Sequence, residues 1–389
     1  MKSRIKTKLP PPKPIMLRKN ALKEYQETIE QDGLAKIVAL GSEDCSSTVT
    51  HWFSTGSLSL DRYLNGKGIP AGRLTEIFGS SYIGKSLLLD HIMGRCQQSG
   101  GVAILVDTET ARDVKFSNRL GVDSEKLQVI EFKRKNLTLE NVIDKIISTA
   151  DFWAENYPET PVVIGLDSLG GTAVKDEIDK NLGAADGEEQ KNVRPAAAAK
   201  VLRSACRKLL QRISGTKIGV VVINHEYANL QIGKGFGKAR ETYGGDAVRL
   251  AASYRIEMFN LGGVKLGDEI VGREVGVKFI KNRFGSPFGQ TSILIQPNAG
   301  VNNVWDIFTR LKEKEVIISD NKYTLQVEGK EIVCKSWNKL QKLCEETPGL
   351  FEKLIVAYNS HMEPIQVELV KETPVEKITE ELEVEDATN

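Results

Sequence analysis

The chain predicts a doubly wound α/β domain with a mainly parallel sheet, and three observations carry that expectation. Four near-continuous apolar runs, 74–78, 102–107, 161–167 and 218–224, have the length and composition of strands covered on both faces. Longer stretches lie between them, so strand and helix alternate along the chain. The first run feeds into Gly79-Ser80-Ser81-Tyr82-Ile83-Gly84-Lys85-Ser86, which fits the pattern G-x-x-x-x-G-K-[ST] between a strand and a helix. A ligand of such a sheet sits at the carboxyl ends of the strands.

The elements follow from local chemistry. Residues 1–19 carry Pro10, Pro11, Pro12 and Pro14 and predict an extended arm. Residues 20–31 predict a helix, with Asn20 as cap and Leu22, Tyr25 and Ile29 near one face. A helix so short needs a surface to pack on, either its own core or a neighbouring subunit. Alternation begins near residue 52. A helix-like stretch from Leu87 to Met93 follows the glycine loop. The clearest helix is 196–213, with Pro195 in its first turn and Val201, Leu202, Cys206, Leu209, Leu210 and Ile213 as a buried stripe. Residues 253–258 and 275–295 read as further strands, with less helix between them. From about residue 299 the pattern becomes a small α+β unit. The expected division is 1–51, 52–298, 299–366 and a tail at 367–389.

At 389 residues and 40% hydrophobic content the chain has material for two or three domains of ~150 residues each. No stretch approaches the ~20 apolar residues of a membrane span. The basic, proline-rich start lacks an apolar signal core, which predicts a cytoplasmic protein. Cys45, Cys96, Cys206, Cys334 and Cys344 are odd in number and scattered, so they read as reduced thiols, neither disulfides nor zinc ligands. Net charge is +1, yet the ends differ in sign. Lys2, Arg4, Lys6, Lys8, Lys13, Arg18, Lys19 and Lys23 precede the first acid, and the tail after Lys371 is rich in Glu. Opposite tails suit electrostatic partners, or are simply solvated ends.

The glycine loop implies a nucleoside triphosphate. Its backbone N–H groups cradle phosphate oxygens, Lys85 reaches the β- and γ-phosphates, and Ser86 ligates Mg²⁺. Asp167 closes the run Val162–Leu166 and is placed to hold Mg²⁺ through water. Glu109, in Asp107-Thr108-Glu109, is a candidate general base, with Asp107 as competitor. His225 directly follows strand 218–224, where a polar residue faces the nucleotide and can sense the γ-phosphate, or is a solvent-exposed loop histidine. The stretch 226–243 contains Gly233, Gly235 and Gly237 with Lys234, Lys238 and Arg240, and Phe236 as an apolar wedge. That composition suits contact with a nucleic-acid backbone, or a mobile surface loop. Lys281-Asn282-Arg283 ends an apolar strand and is either a solvated turn or a pair of arginine-finger-like cations.

These residues resemble the bacterial RecA recombinase family, as a divergent member of bacterial or bacteriophage origin. Ser54-Thr55-Gly56-Ser57-Leu58-Ser59-Leu60-Asp61 is similar to the family's entry into its ATPase core, and Ile69–Gly79 to the strand that follows. Asp107-Thr108-Glu109, Arg119-Leu120-Gly121-Val122-Asp123, Leu166-Asp167-Ser168, Tyr243-Gly244-Gly245-Asp246-Ala247 and Ile280-Lys281-Asn282-Arg283 with Pro287-Phe288 match in order and spacing from about 52 to 296. Weaker similarity continues around Tyr323–Val356.

The resemblance implies a RecA-type phosphate-loop ATPase core, an N-terminal helical arm used in oligomerisation, and a small α+β C-terminal domain before an acidic tail. It implies Glu109 as general base, Asp107 in support, Phe116 stacking on adenine and Asp113 reading its amino group. It implies a first DNA-binding loop near 176–194 and a second near 226–243, with Lys234, Phe236, Lys238, Arg240, Gly244 and Gly245 as DNA contacts. Lys281 and Arg283 then reach the γ-phosphate held by the adjoining subunit. The implied activity is DNA-stimulated ATP hydrolysis and strand exchange, with ATP and Mg²⁺ as cofactors. The implied partners are single-stranded and duplex DNA, further copies of the chain in a helical filament, and a single-strand-binding or loader protein. A ring-forming helicase of the same ATPase class and a weakly hydrolysing filament regulator are the rival expectations. The chain departs from the family at His225, where glutamine is usual, at Ser86 for threonine, and at Tyr82 and Ile83, which are bulkier than usual. The first loop matches poorly, and the proline-rich arm has no counterpart.

Overall fold

Apolar strand sequences and helical stripes become three stacked layers in the computed structural model. It describes residues 29–31, 36, 38, 45–110, 112–133, 136–175, 188–228, 240–285, 288–314, 318–319, 323–327, 330–334 and 336–362. The basic arm, most of the N-terminal helix, most of the first loop, the acidic tail, and Lys234, Phe236 and Lys238 lie outside the described residues. Two compact units occur, 1–48 and 49–389. In the first, Ile29 and Glu30 are helical, and the Thr48 amide donates to the Cys45 carbonyl at 2.8 Å.

The second unit opens with β1 (Trp52–Phe53), α1 (Leu58–Tyr63) and β2 (Ile69–Pro70), β1 and β2 pairing antiparallel. Then come β3 (Leu74–Gly79), α2 (Lys85–Gln98), β4 (Val102–Asp107), α3 (Val114–Arg119), β5 (Gln128–Glu131), α4 (Leu139–Asn156) and β6 (Val162–Asp167). They are followed by α5 (Glu188–Ile213), β7 (Ile218–Ala228), β8 (Arg240–Thr242), α6 (Asp246–Ala251), β9 (Tyr254–Leu266), β10 (Glu269–Asn282), β11 (Gln290–Gln296) and β12 (Gly300–Val301). The main sheet runs β12-β11-β10-β9-β3-β7-β6-β4-β5, with β8 joined to β7. From β9 through β5 every pairing along this path is parallel, and the β9–β12 flank is antiparallel.

Alternation along each strand divides the core. Val163 and Val221 face α2, whose Leu88, Leu89 and Ile92 are fully buried. Ile164, Val220 and Val222 face α4 and α5, through Val142, Ile146, Leu202 and Leu209. This is the pattern of a sheet covered on both faces, and the predicted α/β class holds. A third core belongs to α7 (Asn303–Glu313), the strands β13 (Ile318–Ser319), β14 (Tyr323–Val327) and β15 (Lys330–Cys334), and helices α8 (Trp337–Glu346) and α9 (Leu350–His361). This is the small α+β element, centred on Ile307, Leu311, Leu340 and Leu354. Its tie to the start of the core is polar: buried Asp306 accepts from the Ser59 amide at 2.8 Å and from the Ser59 hydroxyl. Among the described residues no helix is long and apolar enough to cross a membrane.

Three boundaries differ from expectation. Helix α5 starts at Glu188, so Pro195 lies beyond its first turn. The strong helix formers ahead of the proline carry the helix past it. Strand β7 does not stop at Asn224. It continues through His225 to Ala228, because Glu226–Ala228 pair antiparallel with Arg240–Thr242. The second loop therefore stands on a two-stranded stem. Strands β9 and β10 form one long hairpin, closed at Gly267, whose φ of 65° suits a tight turn. Gly262, Gly263 and Gly272 interrupt the apolar alternation there, so the expected strands 253–258 and 275–295 stop short of the hairpin turn. The described cysteines are free thiols, all buried except the half-buried Cys344.

Candidate nucleotide-binding and catalytic site

The phosphate loop starts where β3 runs out. Gly79 has φ 149°, and a Cβ there would stand 2.1 Å from the Met258 carbonyl oxygen of β9, so the close strand demands glycine. Gly84 takes a left-handed conformation at φ 97° and caps α2 without any side-chain hydrogen bond. The first-turn N–H groups of a 14-residue helix therefore open onto the loop, as an anion site requires. Lys85 is buried, and its Nζ donates to the Gly79 carbonyl at 3.0 Å and the Ser80 carbonyl at 2.8 Å. Burial lowers its pKa, while Asp167, Glu109 and Glu226 pull the other way. The two bulky loop residues separate. Ile83 enters the core, and Tyr82 is 94% exposed, its carbonyl accepting from Arg273 of β10 at 2.8 Å.

The parallel register brings other candidates alongside. Gly79 is opposite His225, and Asp107 is opposite Asp167. Asp107 Oδ1 accepts from the Glu109 amide at 3.0 Å and the Thr110 amide at 2.8 Å, which turns the chain sharply after β4 and projects Glu109. Asp107 is thus committed to the turn. The Ser168 hydroxyl donates to Glu109 Oε1 at 2.5 Å, and His225 Nε2 lies 3.2 Å from the same oxygen. Thr108 braces this corner, its hydroxyl donating to the Ser168 carbonyl at 2.7 Å.

Asp167 is buried, and burial raises its carboxyl pKa. The Arg112 guanidinium, then a hydrogen bond from Ser86, act in the opposite direction. Arg112 Nη2 donates to Asp167 Oδ2 at 2.8 Å, and Nη1 pairs with buried Asp90 of α2. Sequence inspection missed Arg112, Ser168 as a Glu109 partner, and Asp90. A lone Arg beyond a strand-end turn carries no motif, and Asp90 sits in a helix whose other residues read as core.

Asp113 caps α3, accepting from the Phe116 amide at 2.9 Å. Phe116 is half-buried against the core, with the Arg119 guanidinium 5.5 Å from its ring centroid. Gly244 has φ 83°, and a Cβ there would meet Leu202 Cδ1 at 2.3 Å. Gly245 leads into α6. Arg240 opens β8. Lys281 and Arg283 are not near the phosphate loop. Lys281 pairs with Arg255, which pairs with Glu76, so Lys281 stands three residues back from Gly79, ~10 Å along the strands and two strands across. Its Nζ donates to the carbonyls of Arg249 and Leu250 at 3.0 and 2.9 Å. Burial first, then Arg283, Arg255 and Arg249, bring its pKa down to about 8. Arg283 is exposed.

A buried polar network runs between these two regions. Glu76 Oε2 accepts from Arg255 Nε at 2.5 Å, and Oε1 accepts from Asn224 Nδ2 at 2.8 Å. Asn224 Nδ2 also reaches the Tyr243 carbonyl at 2.9 Å, at the foot of the second loop.

Residues 19–302 match the family model described as the RecA N-terminal domain. The chain is 32% identical over 275 residues to the proteins named "Protein RecA" of Brucella canis, Brucella abortus and Brucella melitensis, covering 71% of this chain and 70% of each relative. A model match over most of the chain, identity at this level and an α/β core with the phosphate loop at the carboxyl edge of its sheet agree, and the chain belongs to the RecA family.

Proposed function

We propose that this chain is an ATP-dependent DNA recombinase. It assembles as a helical filament on single-stranded DNA, pairs that strand with homologous duplex, and hydrolyses ATP when DNA is bound. The observation that carries the proposal is the convergence of Lys85, Ser86, Glu109, Asp167 and His225 at one edge of the sheet, with Lys281 and Arg283 at the other.

The donor set fits a magnesium nucleotide: open helix N–H groups, one ammonium, one hydroxyl and a buried carboxylate. Among the described residues no cluster of three or more His, Cys, Asp or Glu would hold a metal alone. Magnesium here would come with its phosphates, supplying charge neutralisation for phosphoryl transfer. Lys85 turns from its loop carbonyls to the phosphates, and Ser86 and Asp167 hold the metal side. Glu109 orients the attacking water and accepts its proton. Ser168 and His225 fix the Glu109 carboxylate until the γ-phosphate is present, when His225 turns to it. Movement of His225 shifts β7, hence the stem of the DNA-facing loop. Lys281 and Arg283 neutralise phosphate charge held by the adjoining subunit, and Phe116 and Asp113 take the adenine.

ATP hydrolysis measured with and without single-stranded DNA tests this, on wild type and Glu109→Gln. The expectation is DNA-stimulated turnover that falls at least ~100-fold in the variant, with filaments retained in electron micrographs. Equal, negligible rates in both would make the chain a non-hydrolysing regulator. Unwinding of a forked duplex without homologous DNA would make it a helicase.

A further inference from the structure

Arg112 is a half-buried cation without a part in the chemistry proposed above. Its side chain is 17% exposed and lies between Asp90, 5% exposed, and Asp167, 7% exposed. Nη2 donates to Asp167 Oδ2 at 2.8 Å, and Nη1 pairs with Asp90 Oδ1. Asp90 Oδ2 accepts the Ser117 hydroxyl at 2.8 Å, which ties it to helix α3. The clamp has an anchored end and a functional end. Asp90 belongs to α2, the helix that begins with Lys85 and Ser86, and Asp167 closes β6. Ser86 also hydrogen-bonds Asp167.

A guanidinium is a rigid planar fork, and it holds two carboxylates at fixed angles where an ammonium would act as a point charge. With Oδ2 held by Arg112, the Asp167 carboxylate cannot swing freely about its side-chain torsion. We infer that Arg112 is a positioning residue: by bridging Asp90 and Asp167 it presets the Asp167 carboxylate against Ser86 for the magnesium of a bound nucleotide. This inference rests on the nucleotide assignment of Lys85 and Ser86. Partners that orient a ligating group typically contribute about 10- to 100-fold to metal affinity.

Charge and position can be separated. Asp90, Arg112 and Asp167 together carry one net negative charge, the same as Asp167 alone. The double variant Asp90→Asn/Arg112→Leu therefore keeps the local charge and an acceptor for the Ser117 hydroxyl, and removes the clamp. Neutralising both partners of a buried ion pair leaves no uncompensated charge and commonly preserves folding. The probe is a fluorescent ATP analogue, with the full chain titrated in EDTA and again in excess Mg²⁺, and thermal melting as a check on the fold. The double variant should match wild type in EDTA, while the gain in affinity brought by Mg²⁺ shrinks about 10- to 100-fold. A gain within twofold of wild type overturns the inference. Equal weakening in EDTA and in Mg²⁺ also overturns it, since that is what a purely structural role produces. If the double variant does not fold, Arg112→Lys is measured the same way; it keeps the charge and loses the fork, and an unchanged gain overturns the inference. Wild type that fails to bind the analogue at all refutes the nucleotide assignment itself, and the inference with it.

Discussion

Replacing Arg255 with Met tests the buried network beneath the phosphate loop. Glu76 is fully buried, and Arg255, 6% exposed, stands directly opposite it on β9. The pair is held by a 2.5 Å contact, the Asn224 amide supplies the other Glu76 oxygen at 2.8 Å, and the guanidinium lies 4.6 Å from the Phe78 ring centroid. Met fills most of the volume but leaves a carboxylate inside the sheet with one neutral donor. Removing one partner of such a pair costs about 3–5 kcal/mol. Domains of this kind are stable by about 5–15 kcal/mol, so the loss is a large share. The double variant Glu76→Met/Arg255→Met removes both charges. It leaves the Asn224 amide partly unpaired, though that group keeps its bond to the Tyr243 carbonyl, and it removes the 3.4 Å contact to the Thr242 hydroxyl. Its expected loss is about 1–2 kcal/mol, less than the single change. Urea unfolding followed by tryptophan fluorescence reads both, provided the slope with denaturant is unchanged. A loss below about 1 kcal/mol for Arg255→Met, or a double variant weaker than the single, would refute the assignment of Arg255 as the counter-charge of Glu76.

Three other outcomes are expected. Lys85→Ala should weaken nucleotide binding about 100-fold and abolish ATP-dependent filaments, as loss of a charge-assisted phosphate contact implies; normal filaments with ATP would contradict this. Lys281 loses its charge as pH rises through about 8, so ATP-dependent assembly followed by light scattering should weaken above that pH, and Lys281→Arg should abolish the fall. The sign is particular to assembly. The folded pKa lies below the ordinary lysine value, so between the two the unfolded chain binds more protons and folding itself is favoured by rising pH. Wild-type assembly that is flat across this range would count against Lys281 as a phosphate contact. Deleting the residues after Lys371 should speed loading onto duplex DNA, if the acidic tail competes for basic surface; unchanged kinetics would leave the tail as solvated chain.

The core strands were legible because each is a short apolar run bounded by polar or glycine signals, and the phosphate loop was legible because its chemistry dictates its spacing. What escaped is non-local. The Asp90–Arg112–Asp167 clamp joins a helix, a turn and a strand end far apart in sequence, and none of the three residues announces the others. The contact between His225 and Glu109 is of the same kind: each was a candidate alone, and only the register of parallel strands brings them to 3.2 Å. The turn-side halves of β9 and β10 escaped for a local reason, since their glycines break the two-residue alternation that marks a strand. Pro195 misled because a first-turn proline is the commoner arrangement, and the charged helix formers before it outweigh that preference.

On the proposed function, the placement of the cations decides how the site works. Lys281 lies level with Glu76, and Arg283 further back, its amide donating to the Ser253 carbonyl, while the phosphate loop begins at Gly79. That is a separation of ~10 Å or more along the paired strands. A single chain therefore cannot bring Lys281 to its own phosphate loop without breaking β9 and β10 apart. On that reading another copy of the chain completes the charge around a triphosphate. The Glu76–Arg255–Asn224 network then has a consequence beyond stability. It joins the strand that ends in the phosphate loop to the strand opposite Lys281 and to the foot of the second loop. A displacement at any one of these positions strains a buried ion pair that tolerates little misalignment. Coupling between nucleotide, neighbour and DNA would pass through that pair, and Arg255→Met should uncouple DNA from ATP turnover even in the fraction of protein that remains folded.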